Sequence, residues 1–226
     1  METLNTDILV IGGGVNGASI AMALAARNAG KITLIEKGGL ATGATGRSGA
    51  MVREHYLNVE LVRMASDAKN FFEEWPKEMG YDLKFQTTGR ILLFDESDAG
   101  AAIANGEMNR AEGVNIETLS PEKTMDLIPL ANLEDISISL YEPEAGYADP
   151  VATTYAFAME AQKKGVDLLT RTPVKNLIVK GGHIAGVETA TGKINADAVI
   201  NVTGPWANSL LGQNDVPLPI LSLIHI

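Results

Sequence analysis

The stretch that decides the fold is residues 7–36, DILVIGGGVNGASIAMALAARNAGKITLIE. Residues 7–11 form a short apolar run that predicts a buried strand, and the glycines after it predict a tight turn. Residues 15–29 are rich in alanine and leucine and predict a helix that Gly30 closes. Residues 31–36 predict a second buried strand. A strand, a helix and a strand within about thirty residues are typical of a βαβ unit with parallel strands.

The glycines of the turn have the spacing of a dinucleotide-binding fingerprint. Gly12 would permit the tight turn, Gly14 the close approach of a pyrophosphate, and Gly17 the packing of the helix against the strand. The helix N-terminus would then offer free N–H groups and its positive dipole end to the phosphates. Glu36, about 20 residues beyond Gly17, could accept hydrogen bonds from ribose hydroxyls. The stretch therefore predicts FAD or NAD rather than NADP.

The composition argues against several classes of function. The chain has 226 residues, and its 28 acidic and 18 basic residues give a formal net charge of -10, which repels the phosphates of nucleic acids. It has no cysteine for disulfides, thiolate metal sites or a cysteine link to flavin. No apolar run is long enough to span a bilayer, and no metal or hydrolase motif occurs. We expect a cytoplasmic α/β protein with no metal, no transmembrane segment and no nucleic-acid partner.

The rest of the chain continues to alternate predicted helices and strands. Residues 59–75 have helical apolar spacing, and Pro76 is predicted to end that helix. Asp149 and Pro150 have the pattern of a helix start, for a helix that runs to Lys164. The other predicted elements are a helix at 99–112 and strands at 85–94, 136–140, 174–180, 183–189, 193–196 and 198–202.

Several blocks, in the same order along the chain, resemble one superfamily of flavoproteins. DILVIGGGVNGASIAMALAARNAGKITLIEKG resembles the opening of the D-amino-acid oxidase, glycine oxidase and sarcosine oxidase superfamily. LATGATGRSGAMVREHY resembles its sarcosine-oxidase-like branch, and YADPVATTYAFAMEAQKKGV, TPVKNLIV and VINVTGPWA resemble later blocks. The resemblance implies FAD as the cofactor. It also implies an α/β fold in which a Rossmann-like FAD-binding domain is interleaved with an antiparallel β-sheet substrate domain.

The resemblance further implies how the chain is divided. We expect a discontinuous FAD-binding domain at 1–82 and 146–208, and a partial substrate-binding domain at 83–145 and 209–220. The family continues well past this point, so we expect a C-terminally truncated chain that is itself inactive. Residues 221–226, LSLIHI, depart from the family pattern and are what CTGTCTCTTATACACATC encodes, which resembles a sequencing adapter. They are expected to be an artefact.

The cofactor contacts that the resemblance implies begin in the fingerprint. Val15 and Asn16 would meet the pyrophosphate through their backbone N–H groups, and Glu36 and Lys37 would flank the adenosine ribose. Further contacts would follow along the phosphates, near the flavin, at the adenine and over the cofactor. Arg47, which sits among small residues, could face a phosphate or could equally be a solvated loop arginine. The other residues are Ala44, Thr45, Ser48, Gly49, Ala50, Met51, Val174, Thr203 and Gly204. Local propensity leaves open that the last three are only a strand residue and a turn after a strand.

On the substrate side, the resemblance implies that Arg53 binds the substrate carboxylate. A guanidinium is planar and always charged, and it can hold a carboxylate through two parallel hydrogen bonds. A surface salt bridge or a contact with an FAD phosphate is the alternative for Arg53. Tyr56 could line the same pocket or pack in the core, and His55 has weaker grounds as a general base or a flavin tether.

The implied reaction of the intact parent is FAD-dependent oxidation of a carbon–nitrogen bond. The substrate would be a small amino acid or N-methyl amino acid similar to sarcosine, glycine or a D-amino acid. Hydride would pass to the flavin, and water would hydrolyse the imine. The alternatives are carbon–oxygen oxidation, as in glycerol phosphate or 2-hydroxy-acid dehydrogenases, and a non-catalytic flavin-binding subunit. The sequence leaves open whether oxygen, a quinone or an electron-transfer protein reoxidises the flavin.

Overall fold

A computed structural model of the chain describes residues 2–211 and 218–220. The expected artefact at 221–226 and part of the expected segment at 209–220 lie outside the described residues. The strands of the described part are β1 (Glu2–Ile11), β2 (Ile32–Ile35), β3 (Met51–Val52), β4 (Gln86–Thr87), β5 (Arg90–Phe94), β6 (Glu117–Leu119), β7 (Ile138–Glu142), β8 (Gly146–Tyr147), β9 (Asp167–Leu169), β10 (Val174–Lys180), β11 (His183–Thr189) and β12 (Gly192–Asn201). The helices are α1 (Val15–Ala26), α2 (Val59–Met79), α3 (Glu96–Ala111), α4 (Pro121–Leu127), α5 (Pro150–Lys163) and α6 (Ala207–Leu211).

The chain divides into two compact units, of which the first combines residues 1–48 with residues 150–226. Its sheet has the strand order β10-β11-β12-β1-β2-β9. β12, β1, β2 and β9 run parallel, while β10 and β11 continue the sheet as an antiparallel extension. β1, α1 and β2 therefore form the expected βαβ unit, and the predicted parallel pairing is confirmed.

The alternation of side chains along β1 builds the core on both faces of this sheet. Leu9 and Ile11 point to one face, where they pack with Leu210 of α6. Val10 points to the other face and packs with Ala21 of α1 and neighbouring residues of α5. Because both Leu9 and Val10 are fully buried, each contributes about 1.5–3 kcal/mol to folding. Such burial on two faces explains why residues 8–11 are all apolar.

The second unit, Gly49–Asp149, contains two antiparallel sheets. Their strand orders are β3-β8-β4 and β5-β7-β6. Val62 of α2 and Ala102 of α3 pack with Leu140 of β7 in the core of this unit. The two units together confirm the predicted α/β class, with a Rossmann-like sheet and separate antiparallel sheets.

The compact units and the expected domains have different boundaries. Residues 49–82 cluster with the second unit, although the expectation placed them in the FAD-binding domain, and the second crossing falls at Pro150 rather than Gly146. Compactness depends on which residues pack together, whereas the expected division depended on which residues hold the cofactor. The assignment of FAD to one part and substrate to the other stays a prediction.

Two sequence expectations about local structure are wrong. α2 continues through Pro76 to Met79, because the fixed φ of proline is helical and its ring removes only one hydrogen bond in the last turn. The helix ends at Gly80, whose φ is 72°. The strands predicted at 193–196 and 198–202 form one strand, β12, because β1 pairs with it on both sides of Asp197.

Candidate functional site

The turn between β1 and α1 requires two of its glycines for steric reasons. Gly12 has a φ of +120°, and a Cβ atom there would lie 2.4 Å from the carbonyl oxygen of Val202. A Cβ atom on Gly17 would lie 1.8 Å from the carbonyl oxygen of Gly12. The turn is therefore tight, and α1 sits directly against it, which is the backbone geometry that the fingerprint predicts.

The N-terminus of α1 is bound to the loop that follows β2. Gly14 caps the helix with an extended backbone and no side chain, and the N–H of Val15 donates to the Thr45 hydroxyl at 3.1 Å. A Cβ atom on Gly14 would approach the same hydroxyl to 3.0 Å, so a side chain would fill this space. Backbone N–H groups and a hydroxyl thus meet at the positive end of a helix, an arrangement that suits a phosphate.

Glu36 holds two loops together at the end of β2. One carboxylate oxygen accepts a hydrogen bond from the N–H of Gly13 and the other from the N–H of Gly38, both at 2.7 Å. Each carboxylate oxygen can accept more than one hydrogen bond, so Glu36 can still receive ribose hydroxyls. Sequence reasoning assigned Glu36 only to the ribose and missed this bracing of the glycine turn.

These groups surround a cavity of about 570 Å³ at the carboxyl ends of β1, β2 and β12. Its volume lies in the range of about 300–1,000 Å³ that small-molecule and cofactor sites occupy. Many of the predicted cofactor residues line it. They are Gly12, Gly14, Asn16, Glu36, Lys37, Ala44, Thr45, Arg47, Val174, Thr203 and Gly204. The lining of this cavity combines glycines, hydroxyls and one carboxylate, which suits a dinucleotide.

Other predicted cofactor residues do not line this cavity. Val15 contributes its N–H to Thr45, Gly17 packs against the turn, and Ser48 lies at the exposed end of the loop. Residues 49–51 belong to the second unit, where Met51 pairs with Tyr147 between β3 and β8. Their expected position near the flavin stays a prediction.

The cavity also contains residues that sequence reasoning did not assign to it. The N–H of Thr172 donates to the backbone carbonyl of Glu36 at 2.9 Å, and Thr172 and Pro173 line the wall beside Val174. They arrive there because β9 pairs with β2. The sequence did not predict β9, because a strand of three residues is too short to show an alternation of apolar and polar side chains.

Trp206 lines the cavity and contacts Lys37. The ammonium nitrogen of Lys37 lies 3.6 Å from the centre of the Trp206 ring, which is a cation–π contact. Trp206 is 39% exposed. The pair gives this part of the cavity a broad flat surface with a positive charge on it.

The second unit contains the predicted substrate residues in one polar cluster. The Arg53 guanidinium lies 4.1 Å from the centre of the Tyr56 ring and donates to the carbonyl oxygen of His55. The N–H of Tyr56 donates to Asn109 of α3 at 3.2 Å. Within the described part of the chain, no carboxylate forms an ion pair with Arg53. The structure therefore brings Arg53 and Tyr56 together and gives Arg53 no salt-bridge partner there.

His55 and Glu142 are buried in this cluster and have shifted pKa values. Burial lowers the pKa of His55, and the positive charges of Arg90 and Arg53 lower it further, against a hydrogen bond to Asn105. Burial raises the pKa of Glu142, although the backbone N–H of Glu54 and the charge of Arg90 oppose this shift. His55 is therefore neutral near pH 7.

A glycine turn at a helix N-terminus, a carboxylate at the end of the next parallel strand and a cavity between them define a dinucleotide-binding α/β protein. The chain belongs to the FAD dependent oxidoreductase family, which matches residues 7–224. This confirms the family that the sequence blocks indicated.

Individual relatives match most of this chain. The chain is 31% identical over 215 residues to sarcosine oxidase subunit beta of an Arthrobacter species, covering 92% of this chain and 53% of that protein. It is also 31% identical over 217 residues to the mitochondrial pyruvate dehydrogenase phosphatase regulatory subunit of Mus musculus, covering 95% of this chain and 24% of that protein. The chain thus spans between about a quarter and about half of these relatives.

A solved structure confirms the fold. L-proline dehydrogenase from P. horikoshii superimposes with a TM-score of 0.87 and 31% identity, covering 97% of this chain and 58% of that chain.

In the part of the chain that the structure describes, no helix has the length and apolar character needed to cross a membrane.

Proposed function

We propose that the protein containing this chain uses FAD to oxidise a carbon–nitrogen bond of a small amino acid or N-methyl amino acid. The observation that carries the binding of a substrate carboxylate is Arg53, a guanidinium without a carboxylate partner in the described residues, on a chain that belongs to an FAD-dependent family. The names of two relatives, sarcosine oxidase subunit beta and dimethylglycine dehydrogenase, agree with this substrate class. A cytoplasmic location stays a prediction.

The cavity of the first unit would hold the cofactor. The N-terminus of α1 and the Thr45 hydroxyl would bind the pyrophosphate, and Glu36 would bind the ribose. Val174 and the Lys37–Trp206 pair would contact the adenosine end. FAD, when bound, supplies the acceptor for a hydride.

Arg53 would hold the substrate by its carboxylate. Two parallel hydrogen bonds from a guanidinium fix both the position and the plane of a carboxylate, so they orient the bond that is to be oxidised. The Tyr56 ring, at 4.1 Å, would keep the guanidinium in place. The substrate loses a hydride from carbon and a proton from nitrogen, and water hydrolyses the resulting imine to a carbonyl compound and an amine.

Anaerobic reduction of the bound flavin tests this proposal against its alternatives. Sarcosine should bleach the visible absorption of the FAD-loaded protein, and glycerol 3-phosphate should not. Bleaching by glycerol 3-phosphate alone would instead indicate carbon–oxygen oxidation. Flavin that neither compound reduces, nor any other small amine or hydroxy acid, would indicate a non-catalytic flavin-binding subunit. Adding oxygen, a quinone or an electron-transfer protein to the reduced protein would then identify the acceptor.

A further inference from the structure

Three buried polar atoms without a hydrogen-bond partner lie in one cluster of the second unit, the unit that contains Arg53. Six buried side-chain atoms in the described part of the chain have no partner. Three of them are Nη1 of Arg90, Oε2 of Glu142 and Nδ1 of His55, and all three belong to the second unit. Buried polar groups are nearly always paired, so such a concentration requires an explanation.

The sheet register places these atoms in one cluster. Arg90 on β5 lies directly opposite Glu142 on β7. Oε1 of Glu142 accepts a hydrogen bond from the N–H of Glu54 at 2.5 Å, which brings β7 next to the residue that follows Arg53. Arg90 therefore lies in the same cluster as Glu54, the chain neighbour of Arg53, and the charge of Arg53 acts on Arg90.

The charges of this cluster favour an anionic ligand. Within the described residues, neither guanidinium forms an ion pair, and both side chains are only partly buried. Burial, followed by the charge of Arg53, lowers the pKa of Arg90, yet a guanidinium stays protonated in proteins. Two neighbouring guanidinium groups repel each other unless an anion joins them, and a carboxylate matches their N–H groups.

The acceptors of the cluster match the other end of the same ligand. Nε2 of His55 lies 2.5 Å from the side-chain oxygen of Asn105, so Nε2 carries the hydrogen and Nδ1 is an acceptor. Oε2 of Glu142 is a second acceptor. A carboxylate for the arginines and N–H groups for these acceptors are the two functional groups of an amino acid.

We propose that Arg90 is a second carboxylate-binding residue of the substrate site and that it acts beside Arg53. This inference rests on the proposed function and identifies a carboxylate of the amino-acid substrate as the group that the two arginines bind. That carboxylate is either the α-carboxylate or the second carboxylate of a dicarboxylic amino acid.

Replacing Arg90 with glutamine tests the proposal. R90Q should raise the KM for the carboxylate substrate about 10-fold to 100-fold with little change in kcat, because a charge-assisted hydrogen bond is lost on binding. R90K should recover part of the loss, since it restores the charge but not the planar fork. R63Q is the matched control, because Arg63 is exposed and paired with Glu112 in the same unit.

Sarcosine and N-methylaspartate separate the two sources of the carboxylate. A raised KM for both substrates would assign Arg90 to the α-carboxylate, and a raised KM for N-methylaspartate alone would assign it to the second carboxylate. An unchanged KM for both in R90Q would overturn the proposal.

Binding of acetate provides a test that needs no turnover. Sodium acetate should raise the thermal unfolding temperature of the FAD-loaded wild-type protein above that in sodium chloride of equal ionic strength, and R90K should reduce this effect. Equal acetate stabilisation in wild type and R90K would overturn the proposal. An Arg90-dependent effect in a protein that no amine reduces would leave the anion site in place and overturn the proposed function instead. R90K also serves if R90Q does not fold.

Discussion

Replacing Gly17 with alanine should both destabilise the first unit and weaken FAD binding. The added Cβ atom would lie 1.8 Å from the carbonyl oxygen of Gly12, far short of the 3.4 Å at which ordinary contact begins. The obstructing atom is backbone, so α1 itself must move away from the turn. Overpacking of this kind typically costs about 1–3 kcal/mol, and we expect about 3 kcal/mol here because no flexible side chain can yield.

The same displacement should lower the affinity for FAD. Hydrogen bonds from the N-terminus of α1 to a phosphate require donor–acceptor distances of about 2.7–3.2 Å, so a shift of more than 1 Å breaks them. Hydrogen bonds to charged groups contribute about 1.5–3 kcal/mol each, and the loss of one would weaken binding about tenfold or more. Urea unfolding measures the first effect, and titration of flavin fluorescence measures the second.

Gly100 offers a matched control for Gly17. It lies inside α3, and a Cβ atom there would meet nothing within 4 Å. G100A should therefore stabilise the protein by about 0.5–1 kcal/mol, since alanine favours a helix over glycine. If G17A unfolds at the wild-type urea concentration and binds FAD with the wild-type Kd, the Gly17 Cβ clash does not displace α1.

Three further variants test single contacts. E36Q should cost about 1–3 kcal/mol in urea unfolding and weaken FAD binding, because an amide cannot accept both backbone N–H groups; unchanged values would contradict this role. K69M should lower the free energy of unfolding by about 3 kcal/mol, because it leaves the buried Glu54 without its cation. R63M, which removes the exposed pair of Arg63 with Glu112, should lower it by at most about 1 kcal/mol. Equal losses in the two variants would contradict this difference between a buried and an exposed ion pair. Burial depresses the pKa of His55 in the folded protein below 6.5, so its contribution to the free energy of unfolding is complete above about pH 6.5 and is lost as the pH falls through the folded pKa. H55Q should therefore flatten the pH dependence of the free energy of unfolding, measured with urea. An unchanged pH dependence would exclude His55 as its source.

The βαβ unit and its glycine turn could be predicted because their signals are local. Apolar runs, a helix-forming segment and glycines at fixed spacing all lie within residues 7–36, and each feature agrees with the others. The side-chain chemistry at Glu36 was harder to predict. Its bonds to the glycine turn depend on two loops that meet only after the sheet forms.

The polar cluster around Arg53 shows where sequence reasoning ends. Arg53 was identified from a family resemblance, but Arg90 and Glu142 were not identified at all. Arg90 and Glu142 are far apart in the chain, and only the register of β5 on β7 places them opposite each other. A period of two predicts which side of a strand a residue occupies, but it does not predict which residue of another strand lies opposite.

The strand β12 is a case in which tertiary pairing overrides a local signal, whereas Pro76 is tolerated in the last turn of α2 because its fixed φ is helical. Proline and a polar residue within a strand both predicted an interruption, yet α2 and β12 continue. The pairing of β12 with β1 spans nine residue pairs, from Glu2 with Gly192 to Ile11 with Asn201, and stabilises the strand through Asp197.

In the proposed reaction, the substrate gives up a hydride from a carbon that is attached to nitrogen. A single anaerobic turnover with sarcosine, followed by mass spectrometry of the products, measures this directly. We expect one carbonyl compound and one amine for each bleached flavin, because the imine is hydrolysed. Bleaching without cleavage of the carbon–nitrogen bond, or no bleaching with any amine while glycerol 3-phosphate reduces the flavin, would contradict it.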